Sequence, residues 1–270
     1  MQAQASEQMR IFYEIAMAIG NSLDPVEMFR ESMLSYLRKL NCTAGTIFYL
    51  KKNPDNSYTA INQFSIPYTF ELNSIFPEIK KFVPDNICQD EYDQLQKSFP
   101  IVQNYHYKQT LYLMQLPDFG ILALVKYGNQ LNSDVLKTLE AINIKLAKAS
   151  IACLQKQELE DSELRYKNLT EMLPEMICET DIQGNLTYAN QYALEKMGYT
   201  NEEMNQGLNI FDLFTEEDRP VAISNFRTKL TFRNHVPTEY EVRKKMETPS
   251  RRLFIPPQFL KKMWQSVSGG

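Results

Sequence analysis

The sequence is poor in the residues on which nucleotide and metal chemistry depends. It has nine glycines in 270 residues and neither of the phosphate loops G-x-G-x-x-G or G-x-x-x-x-G-K-[ST], so no glycine-rich nucleotide cradle is expected. Its two histidines, His106 and His235, stand far apart, which argues against a clustered metal site. The phosphoacceptor histidine and the Asn-rich and Gly-rich ATP-binding segments of a histidine kinase are missing. Cys42, Cys88, Cys153 and Cys178 form no C-x-x-C pair and read as reduced core thiols of a cytosolic chain. No apolar run approaches the roughly 20 residues that cross a bilayer. Met1 to Gln8 is polar, without a basic region leading into an apolar one, so no signal peptide is predicted and a cytoplasmic location without membrane contact is the expectation. A net charge of −4 is too mild for a dedicated nucleic-acid binder. No paired acid–base or nucleophile constellation stands out, so no catalytic residues are expected and the chain is not expected to be an enzyme.

What is present suits two ordinary cores, since a chain of this length accommodates about two domains. Met9, Phe12, Ile15, Ala16 and Ile19 recur at helical spacing. Asp24-Pro25 restarts a second helix as N-cap and first helical residue, and Phe29, Met33, Leu37 and Leu40 line one of its faces as far as Asn41. Residues 45–51 and 58–64 read as a hairpin across the turn Asn53-Pro-Asp-Asn56, and 108–115 and 121–127 as another. The proline-rich stretch 65–104 shows only short helical pieces at 75–82 and 91–97. From Asn132 to Leu173 there is no Gly or Pro, so a long helix is predicted, with Leu139, Ile142, Leu146, Ala149 and Cys153 forming an apolar face with partial seven-residue rhythm. Its polar stretch Gln155–Glu163 is either solvated or paired across a dimer. Beyond it come a hairpin around Gly184-Asn185, short helices from Tyr192 to Phe214, a helix capped by Thr215, and an alternating strand from Thr238 to Lys245.

Two families are resembled. Thr180-Asp181, Gly184-Asn185-Leu186, Tyr188-Ala-Asn190, Met197-Gly198-Tyr199, Asn209–Arg219 and Glu239–Arg243 together resemble a PAS domain. Leu23-Asp24-Pro25, the strand ending at Tyr49-Leu50, the hairpin around Leu116 and Gly120 and the long helix resemble a GAF domain. Such tandems sit upstream of the output domains of two-component sensor histidine kinases and related proteins. The resemblance implies an α+β fold of two sensor domains, each an antiparallel sheet flanked by helices. It places the GAF-like domain at 1–154, a helical linker at 155–163, the PAS-like domain at 164–247 and an atypical basic tail at 248–270.

The resemblance also implies a cavity in the PAS-like half, lined by Ile177, Tyr188, Asn190, Tyr192, Met197, Phe211 and Phe226, where a small ligand competes with plain core packing. Asn190 fits a structural bridge from strand end to helix as well as a ligand contact. No cofactor is expected. Haem would need an axial histidine in Glu216–Leu230, which has none. A flavin photosensor of the PAS class would need a cysteine within 192–214, and a bilin would need a histidine beside Cys88. The tail departs from the PAS pattern, because Pro256-Pro257 cannot lie inside a central strand. Ten Lys/Arg against three Glu from Phe226 onward leave two readings: a truncated or frame-shifted end, or a basic amphipathic helix that covers the open sheet or binds a partner. The sheet of the PAS-like half is therefore expected to be incomplete.

The function expected is sensory and regulatory. A small ligand or partner is sensed, and a homodimer transmits through Leu139, Ile142, Leu146, Ala149 and Cys153 to an output domain or kinase. The competing expectation is a non-sensing adaptor, a remnant of a histidine kinase that acts by protein–protein interaction.

Overall fold

A computed structural model describes residues 2–105, 108–231, 241–242 and 253–254. His106 and His235 lie outside the described residues, as do the tail apart from 253–254 and the strand expected over 238–245 apart from 241–242. The chain divides into two compact units, Met1–Glu160 and Asp161–Gly270.

The first unit opens with α1 (Gln2–Met17) and α2 (Pro25–Leu40). Asp24 caps α2 as expected, its carboxylate accepting from the Glu27 N–H at 2.8 Å with Pro25 in the first turn. The helix stops where Asn41 turns left-handed at φ 53°. Lys126, almost wholly buried, donates its ammonium protons to the carbonyls of Leu40 and Asn41 and so satisfies that helix end.

Next come β1 (Ala44–Lys52) and β2 (Tyr58–Ile66), a 3-10 turn at Tyr68–Leu72, α3 (Phe76–Phe82), β3 (Asn86–Ile87) and α4 (Gln89–Ser98). The unit's sheet is completed by β4 (Ile101–Tyr105), β5 (Gln109–Leu116) and β6 (Gly120–Tyr127). The six strands lie in the order β3-β2-β1-β6-β5-β4, every neighbouring pair antiparallel. Alternation along the strands sends successive side chains to opposite faces. Ile47, Tyr112, Met114, Leu122 and Leu124 join the helices on one face. Phe48, Leu111, Leu113, Ile121, Ala123 and Val125 meet Phe70, Ile79 and Val83 on the other. Burial on both faces explains why β6 reads as an unbroken apolar run. Gly120 is required there, because a Cβ at this position would stand 1.9 Å from the Phe48 carbonyl oxygen.

The long helix α5 runs unbroken over Ser133–Met172, passing from the first unit into the second. The second unit continues with β7 (Cys178–Thr180), β8 (Leu186–Ala189), α6 (Gln191–Met197), α7 (Asn201–Asn205), a 3-10 turn at Ile210–Leu213 and α8 (Arg219–Thr231). β7 pairs with β8, and β9 (Glu241–Val242) pairs with β10 (Leu253–Phe254), each as a two-stranded antiparallel ladder. The fold is therefore α+β in both units. Cys178, Leu186, Ala193, Leu194, Met197, Ile210 and Leu213 form the second unit's core.

Candidate functional site

The buried polar node of the second unit is centred on Asn190, fully buried at the end of β8. Its Oδ1 accepts from the backbone N–H of Ala193 at 3.0 Å, making it the N-cap of α6. The same oxygen accepts from the Ile177 N–H at 3.0 Å. Its Nδ2 donates to the carbonyls of Thr170 at 2.8 Å and Glu175 at 2.9 Å. Thr170 belongs to the last turn of α5, where carbonyls have no partner within the helix. One amide therefore closes the end of α5 and starts α6, and it fixes the chain between them.

Acidic and hydroxyl groups of α5 reinforce this joint. The Tyr188 hydroxyl lies 2.6 Å from Thr170 Oγ1 and donates to Glu171 Oε1 at 3.0 Å. Glu171 Oε2 accepts from the Gln191 N–H at 2.6 Å, adding a carboxylate at the start of α6 where the helix dipole favours it.

A second node holds the β7–β8 turn. Asp181 accepts from the N–H groups of Gln183 and Asn185 and from Asn185 Nδ2 at 2.8 to 2.9 Å. These bonds, the Asn185 side chain foremost, hold its carboxyl below the usual carboxylate range. Asn209 donates to Gln183 and Asn185 and accepts from the Phe211 N–H, tying the turn to the short helices. Gly184 sits at φ 87° against the Phe211 ring, 2.5 Å from where a Cβ would be.

This geometry sorts the residues expected to line a ligand cavity. Met197 is buried in the core, and Phe211 and Phe226 pack against it in a T-shaped pair with centroids 5.3 Å apart. Ile177 is buried beside the Asn190 joint. Of the two roles open to Asn190, the geometry is that of the bridge from strand end to helix, since both atoms of its amide are engaged with backbone groups. Tyr188 is also corrected, because its hydroxyl is turned to α5, where a partly buried phenol finds partners. Tyr192 is half-buried on α6 under the Lys196 ammonium, 5.1 Å from its ring centroid, and lies outside the core group. Thr170 and Glu171 carry no signal in the sequence, and Asp181 carries one only as part of the hairpin motif. The Asp181-x-x-Gly184-Asn185 turn pattern was the one available signal for Asp181.

The face of α5 assigned to transmission also needs correction. Leu139, Ile142, Leu146 and Cys153 are buried in the first unit's own core, and Ala149 packs against it. An apolar stripe covered by α1, α2 and the sheet is not free to meet a second copy. Tyr36 of α2 donates its hydroxyl to Asn143 Oδ1 at 2.8 Å, a buried polar bond that fixes α5 to this core. Burial raises the Tyr36 hydroxyl well above its ordinary value, so it stays a donor. The exposed large apolar positions of α5 are Ile144 at 43%, Leu159 at 60%, Leu164 at 59%, Tyr166 at 51%, Leu169 at 59% and Met172 at 81%. Three of them, Leu159, Tyr166 and Leu169, continue a seven-residue rhythm with exposed Ala152 in a stretch otherwise rich in charge, whereas Leu164 lies off that line.

Among the described residues no group of three or more His, Cys, Asp or Glu side chains could hold a metal, and no helix is long and apolar enough to cross a membrane. Residues 164–230 match the family model of the PAS domain, which bears out that resemblance over those residues. The crystal structure of the E. coli DhaR(N)–DhaL complex is similar over 90% of this chain and 81% of that chain, with 13% identity and a TM-score of 0.37. The far-red-absorbing dark state of JSC1_58120g3 with bound biliverdin IXa is similar over 54% of this chain and 98% of that one, with 13% identity and a TM-score of 0.28. No curated protein matches the sequence. The chain is a two-unit α+β protein whose second unit matches the PAS-domain model over residues 164–230.

Proposed function

We propose that this chain is the sensory and regulatory part of a signal-transduction protein of the two-component type, in which a GAF-like first unit and the PAS domain are joined by α5. The PAS match over 164–230 supports a signal-sensing role. The observation that carries the transmission step is the exposed apolar rhythm Ala152, Leu159, Tyr166 and Leu169 on an unbroken 40-residue helix. Apolar side chains at that spacing along a charged helix are the seam of a parallel coiled coil, so the active species in this reading is a homodimer. Binding in either unit biases the rotation or register of α5. The Asn190 joint carries that change to β7, β8 and α6, because Thr170 cannot move without its bond to Asn190. The chemistry of output belongs to a partner or downstream domain, and this chain in the cytoplasm carries none of its own. Met197, Phe211 and Phe226 are the proposed contacts for a PAS ligand.

Sedimentation of the full chain from micromolar to 100 micromolar concentration tests the reading. A dimer is expected, and Leu159→Glu combined with Leu169→Glu converts it to monomer, because both side chains are exposed and neither supports a core. A monomer across the whole range would sink the proposal.

A further inference from the structure

Beside α5, within the first unit, lies a cavity of about 230 Å³ that the transmission role does not use. One wall is the helix itself, with Leu136, Glu140, Asn143 and Ile144 at the spacing that puts side chains on one helix face. The opposite wall is Met114 and Gln115 at the end of β5, with Phe99, Pro100 and Pro117 closing the sides.

The polar groups of this lining divide by chemical role. Asn143 is 2% exposed, and its Oδ1 is occupied by the Tyr36 hydroxyl. That bond uses the oxygen of the amide and leaves the two N–H groups of Nδ2 as the donors Asn143 brings to the lining. Gln115 donates its Nε2 to Gln96 Oε1, which leaves its own carbonyl oxygen as an acceptor. Glu140 stands exposed at the rim as the sole ionisable side chain of the lining. The remaining surface comes from Met114, Leu136, Ile144, Phe99 and the two prolines.

From this we infer a binding site for a compact organic ammonium compound that carries one carbonyl oxygen and a branched apolar group and has no carboxylate. Asn143 donates to the carbonyl, Glu140 and Gln115 accept from the ammonium, and Met114 and Leu136 hold the apolar part. The volume, below the 300–1,000 Å³ common for drug-sized ligands, limits the occupant to roughly ten non-hydrogen atoms. A carboxylate is disfavoured because it would meet the like charge of exposed Glu140. The site deepens the sensing reading and rests on it for its consequence: an occupant touches three turns of α5 directly and bears on the Tyr36–Asn143 bond that anchors the helix.

The probe is leucinamide, titrated into the isotopically labelled full chain and followed by amide NMR. Saturable shifts are expected that cluster at Met114, Gln115, Glu140 and Asn143. Leucine, which adds a carboxylate, and 4-methylpentanamide, which lacks the ammonium, each bind at least about threefold more weakly, the scale of an exposed ion pair. Glu140→Gln removes the preference for the ammonium, and Leu136→Trp, at a half-exposed position, fills the cavity and abolishes the shifts. Equal binding of leucinamide and leucine, shifts scattered away from α5, or shifts that survive Leu136→Trp would each overturn the site. Saturable binding with an unchanged monomer–dimer balance would uphold the site and count against the sensing reading. A ligand held elsewhere while these resonances stay still would do the reverse.

Discussion

Asn190→Ala removes the amide on which the second unit's joint depends. Four backbone groups lose a bond: the N–H groups of Ile177 and Ala193 and the carbonyls of Thr170 and Glu175. Glu175 is exposed, so water replaces the lost bond there, and the Thr170 carbonyl keeps the Leu173 N–H at 3.3 Å. Ile177 and Ala193 are buried, and each N–H left without a partner costs about 1 kcal/mol at the low end of the usual range. The sum is about 2 kcal/mol, a roughly thirtyfold loss in the folding equilibrium of that unit. For a unit of this size that lowers its melting temperature by about 10 °C. Asn190→Ser separates the two roles of the amide. Serine keeps the cap on Ala193 but reaches neither Ile177 nor Thr170, so it recovers only about 1 kcal/mol. Hydrogen exchange reads the same distinction locally: the Ile177 amide exchanges faster in both variants, and the Ala193 amide only in the alanine variant. Wild-type stability for Asn190→Ser would refute the joint and reduce Asn190 to an ordinary helix cap.

Three other outcomes follow from the same geometry. Gly120→Ala drives a Cβ into the Phe48 carbonyl, so urea unfolding of the first unit registers a loss of at least about 3 kcal/mol, and tolerance of alanine would contradict the close β1–β6 pairing. Asp181 has its carboxyl depressed in the folded chain, so its contribution is complete above the ordinary carboxylate range and disappears as pH falls through the depressed value; Asp181→Asn flattens the acid limb of the second unit's stability curve. Exposed Cys88 reacts with a thiol reagent in the native protein, whereas Cys178, 2% exposed with its thiol pushed up to about 12 by burial, reacts only on unfolding; equal rates would place Cys178 at the surface.

Much of the fold is legible because its signals are local. Asp24-Pro25 and Thr200 or Thr215 with an acidic residue three positions on are caps whose chemistry is complete within one turn. The two hairpins of the first unit and the uninterrupted span 133–172 follow from turn residues and from the absence of Gly and Pro. The edge strands were not legible. β3 has two residues, and β4 has no buried position in Ile101–Tyr105, so neither shows the alternation that a half-buried strand leaves in a sequence.

The errors at the candidate site have a common origin. An apolar stripe on α5 shows that something must cover Leu139 and Leu146, and nothing local says whether α1 and α2 or a second copy does so. Tyr188 reads as a cavity residue because its partners, Thr170 and Glu171, lie 18 and 17 positions away on another element. The terminal hydrogen bonds of a side chain depend on packing between elements, which periodicity does not encode.

The central claim, a homodimer seamed along α5, is tested most directly by placing single cysteines at each position from 155 to 169 in a Cys88→Ser background and measuring disulfide formation between copies. The account predicts maxima at 159 and 166, with 162 and 169 next, and minima on the opposite face. Cross-linking that is absent, or uniform along the helix, would contradict it.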